Sequence, residues 1–146
     1  MFQQNTDRKM NADELKTYLD TRRAGWPYAD SYRVEHLTDH RFVAKAGGEL
    51  AGLSYAEISG DGLMARMKMN LKDKFAEFGI GTELLFLLME DLKGAGFETI
   101  RYEISPEHYA FQIYKNLGFS VESQDEEAVR FIWKKLNDRR EHHRKK

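Results

Sequence analysis

Two hydrophobic periods meet in the middle of this chain, and the point where one gives way to the other is its most informative stretch. From Leu63 to Leu71 the residues alternate, with Leu63, Ala65, Met67, Met69 and Leu71 on one side and Met64, Arg66, Lys68 and Asn70 on the other. That is the period of a β-strand, with the methionines as a core stripe. Beyond Gly79 the apolar residues recur at helical spacing, at Ile80, Leu84, Leu87, Leu88 and Leu92, while Leu85, Phe86 and Met89 widen the stripe. This predicts a helix from Gly79 to about Lys93, stopped by Gly94-Ala-Gly96 and laid flat against a sheet. The link between strand and helix carries Gly79 and Gly81. Without Cβ atoms the backbone there can approach a ligand closely, and the free N–H groups and positive end of the helix favour phosphate or pyrophosphate.

The flanking segments fill in the rest. Asn11 followed by Asp13 and Glu14, with Arg22 and Arg23 at the far end, marks a helix with Leu15, Tyr18 and Leu19 on one face. Gly25-Trp26-Pro27 ends it. Trp26 and Tyr28 either cap the core or line a substrate mouth. Tyr32 to Leu37 fits strand and helical spacing alike. Arg41 to Lys45 and Leu50 to Ser59, joined through Gly47-Gly48, read as a β-hairpin, and with the strand ending at Leu71 they form an antiparallel meander. Phe97 to Ser105 follows a crossover helix and is expected to run parallel to the strand ending at Leu71. Pro106 opens a second helix that ends at Gly118, and Phe119 to Glu122 with Ala128 to Leu136 makes a closing strand pair.

Composition narrows the class. With 146 residues, 41% apolar, the chain suits one domain over residues 1–136, followed by a charged tail over 137–146 read as solvated. The net charge of −1 gives no global attraction to nucleic acid or to an anionic membrane. The absence of cysteine excludes disulfides, thiolate metal sites and thiol nucleophiles. No apolar run reaches the ~18 residues of a membrane-spanning helix, and Met1-Phe-Gln-Gln-Asn has no signal-peptide character, so a cytoplasmic location is expected. The histidines at 36, 40, 108, 142 and 143 show no zinc-protease spacing, and no metal is expected. No nucleophile elbow or Walker lysine is present.

The order of parts resembles the GNAT superfamily of acetyl-CoA-dependent N-acyltransferases. The resemblance rests on a hairpin, a strand entering a Gly-x-Gly helix, a parallel strand, a helix with Ala110-x-x-x-Tyr114-x-x-x-Gly118-Phe119, and a final β pair. It implies a single α/β domain, a mixed twisted sheet with helices on both faces, and acetyl transfer from acetyl-CoA as co-substrate to a primary amine, with a homodimer as one possible assembly. CoA is expected on Ala76, Glu77, Phe78, Gly79, Ile80, Gly81 and Thr82, and the thioester and pantetheine on the strand backbone of Met69, Asn70 and Leu71, where a bulge lets the parallel strands part. The resemblance makes Tyr114 the acid that protonates the leaving thiolate and Glu103 the base that frees the amine. Two positions depart from the family pattern. Ala76 stands where an Arg or Gln is usual, with Lys72 or Lys74 as substitutes, and Glu107 stands where Asn is usual. Glu57, Glu103 and Glu107 suggest an acidic mouth and a cationic acceptor. The alternative reading is a CoA-binding sensor or interaction module without turnover.

Overall fold

The computed structural model describes residues 11–107 and 111–135, which form a single α/β domain with a seven-stranded mixed sheet and three helices. The chain begins with α1 (Ala12–Arg23) and continues through strands β1 (Arg33–Leu37), β2 (Arg41–Ala46), β3 (Glu49–Ile58) and β4 (Met64–Leu71). A 3₁₀ turn (Asp73–Phe75) leads into α2 (Ile80–Ala95), followed by β5 (Thr99–Ile104), α3 (Phe111–Asn116), β6 (Ser120–Gln124) and β7 (Val129–Lys134). The sheet order is β1-β2-β3-β4-β5-β7-β6. The charged tail at 137–146, Ala110, and the histidines at 108, 142 and 143 lie outside the described residues.

Local chemistry accounts for most of the element ends. The side chain of Asn11 accepts from the Glu14 N–H at 2.8 Å while the Asn11 N–H donates to the Glu14 carboxylate at 3.1 Å, a reciprocal cap at the start of α1. Gly47 and Gly48, with φ of 60° and 76°, close the β2–β3 hairpin as expected. Residues 33–37, ambiguous in sequence, are a strand because β2 offers them a full antiparallel ladder from Arg33↔Lys45 to Leu37↔Arg41. Pro106 and Glu107 form a turn in which the Glu107 N–H donates to the Ser105 hydroxyl at 3.3 Å, and the described part of α3 runs over Phe111–Asn116.

β4 and β5 are parallel, as the crossover helix requires, but only three residue pairs join them: Met64↔Thr99, Ala65↔Ile100 and Arg66↔Arg101. Beyond Arg66 the two strands lean on different partners. β4 keeps its ladder to β3 through Gly52↔Leu71, and β5 keeps its ladder to β7 through Ile104↔Val129. The separation needs no bulge in β4, whose register against β3 is unbroken; the register shifts fall instead between Ala44 and Lys45 and between Val121 and Ser123. The sheet therefore opens by ending a ladder early, not by inserting a residue.

The core lies between the sheet and α2. Ala65 and Met67 of β4, Ile100 and Tyr102 of β5, and Phe131 and Trp133 of β7 are buried on one face. Ile80, Leu84, Leu85, Phe86, Leu88, Met89 and Leu92 of α2 are buried with them. Burying an aliphatic side chain of this size contributes roughly 1.5–3 kcal/mol, so the wide stripe of α2 is a major part of the stability. Ser54, the one buried polar residue among those described, donates to the Leu84 carbonyl at 3.2 Å and so remains satisfied. Trp133 is only 5% exposed and belongs to this core.

The loop between β4 and α2 is held from the other end of the domain. Arg23 donates through Nε to the Phe78 carbonyl at 2.9 Å and through Nη2 to Glu83 Oε1 at 2.8 Å. Tyr32 donates its hydroxyl to the same Glu83 oxygen at 2.7 Å. The Arg23 guanidinium also lies 4.2 Å from the Tyr32 ring centroid, and Trp26 stacks on Phe78 at 4.4 Å. The core-capping reading of Trp26 is therefore the one observed. Glu83 sits in the first turn of α2, where its charge complements the helix dipole as well as Arg23. Replacing Glu83 with Ala leaves a largely buried guanidinium without its carboxylate, held by the Phe78 carbonyl, which costs about 3 kcal/mol. The expected outcome is a midpoint of thermal unfolding lower by roughly 6–12 °C, read by circular dichroism.

Candidate active site

The opening between β4 and β5 brings together the glycine loop on one side and two tyrosines on the other. The first hydrogen bond of α2 runs from the Glu83 N–H to the Gly79 carbonyl at 3.0 Å. Among the described residues no acceptor takes the N–H groups of Ile80, Gly81 or Thr82. These are the free donors of a helix N-terminus, and Gly81 and Thr82 are only partly buried. Gly79 adopts φ 73°, a left-handed conformation that favours glycine.

The packing around the two glycines changes their reading. A Cβ on Gly79 would stand 2.7 Å from Leu19 Cδ2 and 3.2 Å from Tyr18 Cε2, and a Cβ on Gly81 would stand 3.2 Å from Met69 Sδ and Cε. Gly79 thus admits α1, and Gly81 lets α2 settle on β4. Both glycines are explained by close packing inside the domain, and what the loop offers outward is backbone N–H. Lys72 and Lys74, expected near the loop as substitutes for the missing Arg or Gln, turn to Glu49 at 3.8 and 2.7 Å. Ala76 and Glu77 are exposed and Phe78 is partly covered by Trp26.

Tyr102 and Tyr114 meet beneath the opening. Their ring centroids are 5.5 Å apart, and both pack on Phe131 and Phe119 as one aromatic cluster. A hydrogen bond joins the two hydroxyls. Burial pushes Tyr102 up to about 12, partly offset by the Tyr114 hydroxyl. Burial raises Tyr114 further, and the neighbouring Tyr102 adds to the shift. Tyr18 of α1, which packs beside Gly79, adds weakly to the upward shift of Tyr114. In the sequence Tyr18 falls only on the packing face of α1 and Tyr102 within the strand from Phe97; neither position carries a local signal for a site.

Glu103 follows Tyr102 on β5 and therefore faces the other side of the sheet. It is exposed, 3.7 Å from Arg130 Nε. A cavity of about 320 Å³ on that side is lined by Arg66, Arg101, Glu103, Glu122 and Arg130, with Tyr102 and Phe131 also contributing. The structure thus brings Tyr114 and Glu103 to the same opening from opposite faces, with Tyr102 between them. The mouth is not acidic: three arginines and two glutamates line the cavity, Glu57 is absent from its wall, and Glu107 is an exposed turn residue. Met69, Asn70 and Leu71 lie on the stretch of β4 with no β5 partner. Among the described residues no group of three or more carboxylate, histidine or cysteine side chains could hold a metal, and no helix is long and apolar enough to cross a membrane.

No family model matches this chain. No curated protein matches it either. Solved structures do. The ribosomal-protein-S18-alanine N-acetyltransferase of Escherichia coli is 16% identical over 86% of this chain and 90% of its own, with a TM-score of 0.54. A Bacillus subtilis acetyltransferase in complex with CoA is 20% identical over 86% of this chain and 94% of its own, at 0.55. The GNAT domain of S. lividans PAT is 15% identical over 87% of this chain and 88% of its own, at 0.55. At these identities the likeness speaks for architecture, and the chain has the fold of the GNAT N-acetyltransferases.

Proposed function

We propose that this protein transfers an acetyl group from acetyl-CoA to a primary amine by direct attack of the amine on the thioester. The observation that carries the reading is the opening itself: a sheet whose central parallel ladder stops at Arg66↔Arg101, with free N–H groups at the start of α2 on one side and paired tyrosine hydroxyls beneath. Structures with this fold are solved as acetyltransferases, several of them with CoA or acetyl-CoA bound, which supports the same co-substrate here. The residues fit an anionic, extended ligand. The N–H groups of Ile80 to Thr82 supply donors for a pyrophosphate. The unpaired edge of β4 at Met69 to Leu71 supplies strand hydrogen bonds for the amides of a pantetheine arm.

The chemistry then divides between the two faces. An attacking amine must be neutral, and Glu103, on the open face, accepts its proton directly or through water. The nitrogen lone pair forms the new C–N bond, the nitrogen gives up its surplus proton to water, the tetrahedral intermediate collapses, and the C–S bond breaks with its electron pair on sulfur, the tyrosine that protonates it being reprotonated from solvent. That thiolate takes a proton from the tyrosine pair. A tyrosine hydroxyl, with an ordinary pKa of ~10, is protonated at neutral pH, and burial raises both further, so the donor is loaded. Tyr114 is the assigned acid, and Tyr102, hydrogen-bonded to it, lines the cavity. The alternative, CoA binding without turnover, draws on Ala76, which deprives the loop of a polar side chain. A CoA-affinity measurement run beside a mass-spectrometric screen of amines separates the two.

Three outcomes are expected. Because both glycines serve internal packing, the loop is better tested at Thr82, where Pro removes one free N–H in the first turn of α2 without removing an intrahelical bond. Thr82→Pro should weaken CoA about tenfold, equivalent to ~1.4 kcal/mol by calorimetry, while Thr82→Val, which keeps the N–H, should not; equal affinities in the two variants would move the pyrophosphate elsewhere. Tyr114→Phe keeps the ring in its aromatic cluster and removes the donor, so kcat should fall by about 10²–10⁴ with the KM for acetyl-CoA within a few fold. Full kcat in that variant, with chemistry shown to limit the rate, removes Tyr114 from the mechanism. The third outcome concerns pH. An unfolded chain releases tyrosine protons near ~10, whereas the folded domain holds them on Tyr102 until about 12. The stabilisation from this group is complete below pH ~10 and is lost as pH rises through 12, so denaturant midpoints should decline over that window in the wild type and less so in Tyr102→Phe.

A further inference from the structure

The cavity on the Glu103 side carries more positive charge than its own carboxylates absorb. Arg101 is bidentate on Glu122, with Nε–Oε1 and Nη2–Oε2 both 3.0 Å. Arg130 has Asp125 as its close partner at 2.9 Å and Glu103 only at 3.7 Å. Arg66 has no carboxylate within ion-pair distance among the described residues, although Glu57 stands opposite it on β3. Both oxygens of Glu122 are already engaged by Arg101, so Arg66 reaches that charge only through space.

The position of Arg66 is as telling as its lack of a partner. It is paired in register with Arg101 in the last step of the β4–β5 ladder, at the lip of the opening. Like charges directly opposite one another on a sheet are destabilising. Packing does not explain the residue, since the alternation of β4 turns it away from the core formed by Ala65 and Met67. A half-exposed guanidinium beside a second arginine, in the wall of a cavity that also holds Glu103, is arranged for a planar anion that binds it through two hydrogen bonds.

Resting on the reading of this cavity as the acceptor side, we infer that the acceptor is an amine that carries its own carboxylate, with Arg66 holding the carboxylate while the amine lies toward Glu103. This narrows the sequence-based expectation of a cationic acceptor to one that also carries a negative charge. A polyamine would meet three arginines at the mouth, whereas an amino acid, or a peptide with an acidic residue next to its N-terminal amine, presents one charge to each side.

The test measures binding and transfer separately on the full chain loaded with CoA. β-Alanine and γ-aminobutyrate are titrated against their primary amides by calorimetry, beside spermidine and a peptide pair that differs only by Asp or Asn after the N-terminal residue. The carboxylate members should bind at least tenfold tighter than their neutral partners, and the arm with the larger ratio tells a free amino acid from a peptide. Arg66→Ala and Arg66→Gln should bring the ratio to about one, and Arg66→Lys should restore part of it. Amides or spermidine binding as well as the carboxylates, a ratio unchanged in both neutral variants, or no saturable binding of any carboxylate-bearing amine would each overturn the inference. Selective binding without acetylation keeps the inference and removes the transfer reaction. Acetylation that ignores the carboxylate does the reverse.

Discussion

Everything at the candidate site follows from one interrupted ladder. A parallel strand pair that continued beyond Arg66↔Arg101 would satisfy the backbone of both strands and close the middle of the sheet. Instead β4 remains bound to β3 and β5 to β7, so each strand is held on its outer side while the inner sides part. Buried backbone groups without partners are costly, which makes such an opening a place where an extended ligand gains more than it would on a closed sheet. The opening is stable because the cores on either side are independent of it: α2 covers β4 through Met69 and Gly81, and the Tyr102, Tyr114, Phe119 and Phe131 cluster anchors β5 and β7.

The second constraint is the approach of α1 to the start of α2. Leu19 and Tyr18 occupy the space a Cβ on Gly79 would need, and Arg23 ties the Phe78 carbonyl to Glu83. The ion pair is largely buried, with side-chain exposures of 14% and 19%, so it fixes geometry more than a surface pair does. The loop that offers free N–H groups is thereby rigid before any ligand arrives. Preorganisation of this kind lowers the entropic cost of binding and offsets part of what the loop loses with Ala76.

The two faces of the sheet divide the chemistry by solvation. Tyr102 and Tyr114 lie in an apolar cluster that favours their neutral forms, the state a proton donor needs. Glu103 is exposed on the other face among arginines, open to an acceptor from solvent. Alternation along a single strand is what places the two environments one residue apart.

What the sequence by itself determined is local. The period of β4, the stripe of α2, the capping residues of α1, the Gly47-Gly48 hairpin and the parallel sense of β5 are each written in neighbouring residues, because strand alternation, helix periodicity and turn sterics act over a few positions. The motif around Tyr114 was legible for the same reason. The tertiary structure decided the rest. That Gly81 accommodates Met69 instead of a ligand, that Lys72 and Lys74 belong to Glu49, and that Tyr102 joins Tyr114 depend on contacts between distant segments, for which spacing along the chain carries no information. The same holds for the charge of the mouth. Glu57, Glu103 and Glu107 read as acidic when counted alone, but sheet register sets Arg66 and Arg101 side by side and Arg130 beside Glu103, and the sign of a surface is fixed by which charges the fold brings within a few ångströms of one another.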